Sequence, residues 1–342
     1  IVNRNGKSYI TLTSKPTGFY NSYKIDSIET IQNETKQTIT TSAKIDIKFY
    51  KELYNVSDWQ SIEDGTYQNY MLMNDIDFNN MANIKYNVTM QELLTNNNET
   101  YTLKNIKINL SEGNSGFIRK VNILKNINFE NIQISNSAKD RRTGIIVANQ
   151  QISNCNFNNI DIDASNCDYV GCIVNSTSSS SNLSANEIKV QGKNYVGGII
   201  PYYLNAMTNI KVSNLEVSGL DNVAGIVGNG SSRVINSEAT EIKVQGNNYV
   251  GGIIGYSETS SADRIYNCNI KNGEIKGNSY VGGIAGQCSV YASSISDSYV
   301  YGKNYVGGVA GILLNSNNEV NYIDNVKVEG IYDYIGRNCW KK

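Results

Sequence analysis

The sequence predicts an all-β chain coiled into a parallel β-helix. Three observations point there: a heptapeptide that returns at intervals of 25–31 residues, asparagines that return in step with it, and short alternating segments between the two. The heptapeptide Tyr249-Val250-Gly251-Gly252-Ile253-Ile254-Gly255 returns as Tyr280-Val281-Gly282-Gly283-Ile284-Ala285-Gly286 and as Tyr305-Val306-Gly307-Gly308-Val309-Ala310-Gly311. Earlier copies begin at Tyr195, at Asn222 (Asn-Val-Ala-Gly-Ile-Val-Gly) and at Tyr169, where Cys172 stands for the second Gly. From Tyr169 to Tyr334 the copies lie 26, 27, 27, 31, 25 and 29 residues apart.

The asparagine column reads Asn126, Asn154, Asn182, Asn209, Asn236, Asn267 and Asn325, with Asp297 between the last two and Asn105 as an earlier candidate. Asn tolerates left-handed backbone angles and bonds its own turn, so a column of it suits a repeated corner. Stacked amides also hydrogen-bond along a rod. Segments such as Ile188-Lys189-Val190 and Ile242-Lys243-Val244 alternate as strands with one face in and one out. A unit this short cannot bury its own apolar face, but stacked on a neighbour about 4.8 Å away it can. The paired glycines, with Gly197, Gly251, Gly282 and Gly307 as the first of each pair, suit a bend or close backbone approach.

The remainder divides into a small β module over 1–55, a cap and lead-in segment over 56–100 and the β-helix over 101–342. In the module, strands are expected at Ser8–Leu12, Lys24–Ile28, Lys36–Thr41 and Lys44–Tyr50. Ser57-Asp58-Trp59-Gln60 and Thr89-Met90-Gln91-Glu92 both have capping-box spacing and predict two short helices to cover the open end. Tyr70 to Phe78 then reads as a strand entering the rod. The start, Ile1-Val2-Asn3-Arg4-Asn5, has neither an initiating Met nor a leader pattern, so the chain reads as a mature or excised piece.

Composition narrows the function. The 342 residues carry a formal net charge of -1, which leaves no basic excess to neutralise nucleic-acid phosphates. Only 2 Pro occur against 29 Gly and 51 Asn, the composition of a chain rich in turns. No stretch is long and apolar enough for a membrane span. There is no histidine, which removes Ser-His-Asp and Cys-His catalysis and His-ligated zinc together. The six cysteines, Cys155, Cys167, Cys172, Cys268, Cys288 and Cys339, form no C-x-x-C pair and are expected as free thiols, with Cys155 and Cys268 packed as small hydrophobes. No cofactor or metal is implied.

The repeat resembles the GLUG repeat of secreted bacterial surface proteins, and that resemblance implies a right-handed β-helix. The run from Asp58-Trp59 through Asn74-Asp75-Ile76-Asp77-Phe78, then Leu103-Lys104-Asn105-Ile106-Lys107-Ile108 and the repeats, is similar to the region before the catalytic domain of immunoglobulin-A-protease-type zinc metallopeptidases of Gram-positive bacteria. The resemblance spans roughly residues 50–340. It implies an extracellular location, secreted or wall-attached, and host glycoproteins such as immunoglobulin or mucin as partners. The family's H-E-x-x-H motif has no counterpart here, so no catalytic residue is carried over, and Glu99-Thr100-Tyr101-Thr102 replaces a Gly-x-x-His stretch often found before the first rung.

Candidate sites are few. Asp75-x-Asp77 and Asp161-x-Asp163 each place two carboxylates on one strand face, as a glycosidase pair or as a solvated face. The tyrosine column (Tyr169, Tyr195, Tyr249, Tyr280, Tyr305, Tyr334) is either a binding stripe or a ladder holding the rungs. Tyr202 and Tyr203 break the repeat and are the binding candidates. Ser176 to Ser181 reads as a projecting loop. The expected role is a non-catalytic spacer and docking surface; the alternatives are an adhesin module for host protein or glycan, and a polysaccharide lyase or hydrolase.

Overall fold

The computed structural model describes the backbone of residues 2–4, 7–9, 20–32 and 35–48, and the chain from 50 to 341 apart from 64–67, 140, 177–179, 204, 231–232, 259–264, 315–319, 333–334 and 337–339. Two compact units divide between Lys51 and Glu52. In the first, Val2–Arg4 pairs antiparallel with Lys7–Tyr9, and a long hairpin joins Tyr20–Gln32 to Thr35–Lys48. The expected strands Lys36–Thr41 and Lys44–Tyr50 are thus one strand, since no Gly or Pro interrupts its Thr and Ile alternation. The pairing register shifts once, between Ile25 and Ser27.

The second unit is a parallel β-solenoid of about nine turns. Its longest face stacks Tyr101–Leu110, Ile127–Asn136, Asn149–Asp163, Ser180–Gln191, Met207–Ser218, Glu238–Gln245, Asn269–Lys276, Ser294–Gly302 and Tyr322–Gly330, each parallel to the next. Register alone then lines up like residues. Ile108, Ile134, Ile162, Val190, Val217, Val244, Ile275 and Val300 form one inward ladder, all buried. Each such side chain contributes roughly 1.5–3 kcal/mol on full burial. Beside it Phe129 stacks on Phe157 with ring centroids 5.3 Å apart, and the smaller Ala185 follows them.

Asparagine makes the corners, in two columns rather than one. Asn126, Asn154, Asn182, Asn209, Asn236 and Asn267 have φ between 51° and 60°. Their amides bond from rung to rung: Asn154 donates to Asn126 at 3.1 Å, Asn182 to Asn154 at 3.0 Å and Asn209 to Asn182 at 2.9 Å. Asn325 and Asp297 do not continue this column. They stack in a second one, five residues further along, with Asn105, Asn131, Asn159, Glu187, Asn214, Glu241 and Asn272, and Asn325 donates to Asp297 at 2.8 Å. The slot after Asn267 is taken by Ala292, φ 46°. Both corners need the same left-handed backbone, so both draw Asn.

The strands within 56–100 stack as the first rungs of the solenoid: Asn69–Leu72 pairs with Val88–Thr95, and Ile76–Asp77 with Tyr101–Leu110. One expected helix exists, Val56–Gln60, but its cap is Asn55 with Asp58 closing the capping box, two residues before the predicted Ser57 and Gln60. Its Trp59 is fully buried. The second expected helix is absent, because Thr89–Glu92 lies in the strand Val88–Thr95, where Val88, Met90 and Leu93 face the core and the segment bonds rungs on both sides. Sandwiched pairing outweighs a local capping signature. Cys155, Cys167, Cys172, Cys268 and Cys288 are buried free thiols; Cys339 lies outside the described residues. Burial pushes the Cys155 and Cys172 thiols up to about 12. Among the described residues no helix is long and apolar enough to cross a membrane.

Candidate functional site

A third corner carries the tyrosines. Strands Tyr169–Val170, Asn194–Gly197, Asp221–Ala224, Asn248–Gly251, Ser279–Gly282 and Asn304–Gly307 stack in register, with Val170, Val196, Val223, Val250, Val281 and Val306 buried in line. The residue before each of these valines turns outward. Tyr195, Asn222, Tyr249, Tyr280 and Tyr305 do so at φ between 52° and 58°. An aromatic residue there is strained by about 1–2 kcal/mol, where Asn or Gly would be easy. The rings recover part of this by stacking: Tyr169 on Tyr195 at 4.8 Å, Tyr249 on Tyr280 at 4.6 Å and Tyr280 on Tyr305 at 4.9 Å. The guanidinium of Arg142 lies 5.4 Å above the Tyr169 ring and ends the stack. Tyr334 lies outside the described residues.

The glycine column explains how the corner turns. A Cβ on Gly197, Gly251 or Gly282 would collide with the carbonyl oxygen of Ile200, Ile254 or Ala285, and Gly307 pairs in the same column. Ala224 breaks it at the Asn222 rung.

Beyond the bend, Ile200–Tyr203, Val227–Gly230, Ile254–Tyr256 and Ala285–Cys288 form the next face. Tyr202 points outward and meets Tyr169 edge-on at 6.3 Å. Tyr203 does not: strand alternation turns it fully inward, and its hydroxyl donates to the Ala206 carbonyl at 3.0 Å. It belongs to the core and not to a binding surface. Tyr256, which the sequence does not single out, packs on Tyr249 at 4.6 Å with the rings 63° apart. Burial, then the neighbouring phenol of Tyr195 or Tyr280, raises the pKa of Tyr169 and Tyr249 above the usual phenol value, and burial and then Glu258 raise that of Tyr256. The outward tyrosines together form a half-buried aromatic corner.

The carboxylate candidates are placed differently. Asp75 accepts from the Thr102 amide at 2.8 Å, and Asp77 accepts from the Asn79 amide and the Asn105 side chain, each at 2.8 Å. The Asn105 and Asn79 hydrogen bonds hold the Asp77 carboxyl below its usual range. Both carboxylates tie loops to strands. Asp161 lines shallow grooves of about 490 and 560 Å³ on the long face, beside Glu187, Lys189, Glu216 and Lys243 in the first. Along this face Asp161, Lys189, Glu216, Lys243 and Glu274 alternate in sign from rung to rung. Alternation favours the native register and leaves little net field. Asp163 accepts from the Ser165 hydroxyl at 3.2 Å. Of the Ser176 to Ser181 run, 177–179 lie outside the described residues, and Ser180 opens a strand. Among the described residues no group of three or more Cys, Asp or Glu gathers in a metal-holding arrangement.

No family model matches the chain, so the GLUG resemblance rests on its residues, and no curated protein matches it. Among solved structures the chain is similar to a protein from Bacteroides ovatus described as a "putative immunoglobulin A1 protease". The two share 16% identity, the alignment covers 81% of this chain and 84% of that one, and the TM-score is 0.42.

Proposed function

We propose that the chain is the non-catalytic β-solenoid region of a secreted or cell-surface bacterial protein of the immunoglobulin-A-protease type. In this reading it holds the remainder of that protein away from the cell and offers a docking face to host glycoproteins. The observation that carries the reading is the outward tyrosine corner from Tyr169 to Tyr305, with Tyr202 and Tyr256 beside it. Four tyrosines sit there at left-handed backbone angles that Asn would adopt more cheaply, and rigid aromatic area with a polar tip is what docking surfaces use. The test is capture of immunoglobulins and mucins by the immobilised protein. Capture should be retained in Asp161→Asn and lost when Tyr169 and Tyr202 are both changed to Ser; no capture, or capture indifferent to the tyrosines, would end the reading. Zinc analysis and a peptidase assay on this chain should both be blank, and stoichiometric zinc or proteolysis would overturn the non-catalytic assignment.

An adhesin module would use the same face, and the flanking reading frame separates the two: H-E-x-x-H downstream favours the first, a wall anchor alone the second. The groove at Asp161 and Glu187 is what favours a third reading, a polysaccharide hydrolase or lyase. Polysaccharide turnover that disappears in the Asp161→Asn, Asp163→Asn double variant would establish it, and inactivity across a polysaccharide panel would retire it.

A further inference from the structure

The long face beside the second asparagine corner is complementary in charge to itself, and we propose that it pairs two copies of this chain side by side and antiparallel. The proposal is independent of the docking reading above, which uses the tyrosine corner.

Three grooves of about 560, 490 and 470 Å³ follow one another along that corner, from Asn80 to Asn325. The middle groove shares Asn159 and Asp161 with the first, and Glu241 and Lys243 with the last. Two outward columns of side chains flank its floor. On the face, the four central rungs carry Asp161, Lys189, Glu216 and Lys243 in register, all exposed. At the corner, the same rungs carry Asn159, Glu187, Asn214 and Glu241. Glu187 and Glu241 have φ of 56° and 53°, backbone that Asn adopts more readily than Glu, so the turn itself does not call for their carboxylates.

A two-fold axis across the rod, midway between the rungs of Lys189 and Glu216, reverses the order of the rungs and sets each column opposite itself. Lys189 then meets Glu216 of the second copy, and Asp161 meets Lys243. Further out, Gln133 meets Glu274, and Lys107 meets the ring of Tyr299. At the corner, Glu187 meets Asn214 and Glu241 meets Asn159, each a carboxylate against an amide donor. In the next outward column Asp163 meets Gln245, and Gln191 meets Ser218. The middle groove faces itself, and the outer two face each other. None of these pairs sets like charges together. Sliding one copy by a single rung undoes this, since Lys189 then meets Lys189 and Asp161 meets Glu216.

With rungs about 4.8 Å apart and alternate residues about 6.7 Å apart, eight paired rungs and three columns measure about 34 by 13 Å, or about 900 Å² over both copies. That is the size of a weak, polar and wet contact, in which charge complementarity sets register more than affinity. A net charge of -1 per chain leaves no overall repulsion between copies.

The test is sedimentation of the protein across a concentration series up to about 0.5 mM, at about 0.05 M and about 0.5 M salt. The mass should rise toward that of two chains in low salt and return to that of one in high salt. Asp161 and Lys243 lie three rungs apart in one chain, about 14 Å and beyond the reach of both side chains. A zero-length carbodiimide link between them therefore joins two copies, and peptide mapping of the cross-linked wild-type dimer should find it. Asp161→Lys and Lys243→Glu should each weaken association about tenfold or more. An equimolar mixture of the two variants should associate again, because every pair across the mixed dimer is of opposite sign. Circular dichroism checks that both keep the solenoid. A single-chain mass throughout the low-salt series, association indifferent to salt, a wild-type dimer without the Asp161–Lys243 link, or folded variants that stay apart when mixed would each overturn the proposal. A single-chain species that binds a polysaccharide through Asp161 would also overturn it and give the groove to the hydrolase or lyase reading.

Discussion

Trp59 offers the sharpest test of how the first rungs are closed. The helix that carries it, Val56–Gln60, has five residues and cannot persist on its own. It is held by what Trp59 and Gln60 reach. The Trp59 ring stacks on Phe117 at 4.6 Å and 9°, meets Phe78 edge-on at 5.7 Å, and its Nε1–H donates to the Lys85 carbonyl at 3.0 Å. Gln60 accepts from the Lys85 amide and donates to the Asn83 carbonyl, both at 2.7 Å. All three rings are buried, so Trp59→Ala opens a large cavity among them and should cost about 3–5 kcal/mol. Trp59→Phe keeps most of the ring contact and forfeits the hydrogen bond, and should cost about 1 kcal/mol beyond a modest packing loss. Urea unfolding followed by circular dichroism measures both, and light scattering reports whether the loosened first strands recruit other chains, as uncovered edges do. A cost near 0.5 kcal/mol for Trp59→Ala, the range of an ordinary surface substitution, with no change in association, would refute the idea that this side chain locks the helix onto the stack.

Asn154 donates to Asn126 and accepts from Asn182 at φ 54°, so Asn154→Ala should cost about 2–3 kcal/mol from backbone strain and two lost amide bonds, and Asn154→Gly visibly less; equal costs in thermal unfolding would show that the left-handed corner does not matter. The hydroxyl of Tyr299 donates to Glu329 at 2.6 Å, and this bond, then burial, lifts the phenol to about 12 from its usual 10.0. Because the folded state holds the proton more tightly, the contribution is complete below the unfolded value and is lost as pH rises through about 12. Ultraviolet titration of tyrosinate should show the highest-titrating phenol vanish in Tyr299→Phe and fall in Glu329→Gln; an unchanged curve would discard the assignment. Cys155 and Cys172, buried with thiols near 12, should resist a disulfide reagent at pH about 8 until the protein unfolds, and peptide mapping of a fast native-state adduct at either would contradict their place in the core.

Much of the candidate site was readable in advance as a column, and little of it as a place. The tyrosine periodicity was visible, yet Tyr202 and Tyr203 look equivalent in the chain, and only strand direction sends one outward and the other to the Ala206 carbonyl. Asn222 is legible as the start of a repeat copy, but not as the neighbour of Tyr195 and Tyr249, which lie 27 residues away on either side. The corner that Asn325 serves is ambiguous in the sequence for a related reason. Two corners five residues apart both demand left-handed backbone and both select Asn, and the residue type cannot say which corner it serves.

The sequence by itself determined the solenoid. Repeat length, alternation and corner residues are all local, and parallel stacking is the one arrangement that buries every copy's apolar face against the next. Tertiary structure alone decided which outward side chains share a surface. On a rod, neighbours across rungs are about 4.8 Å apart in space yet a full turn apart along the chain, so a single rung's departure from the repeat acquires chemical meaning only when the rungs above and below it are in place.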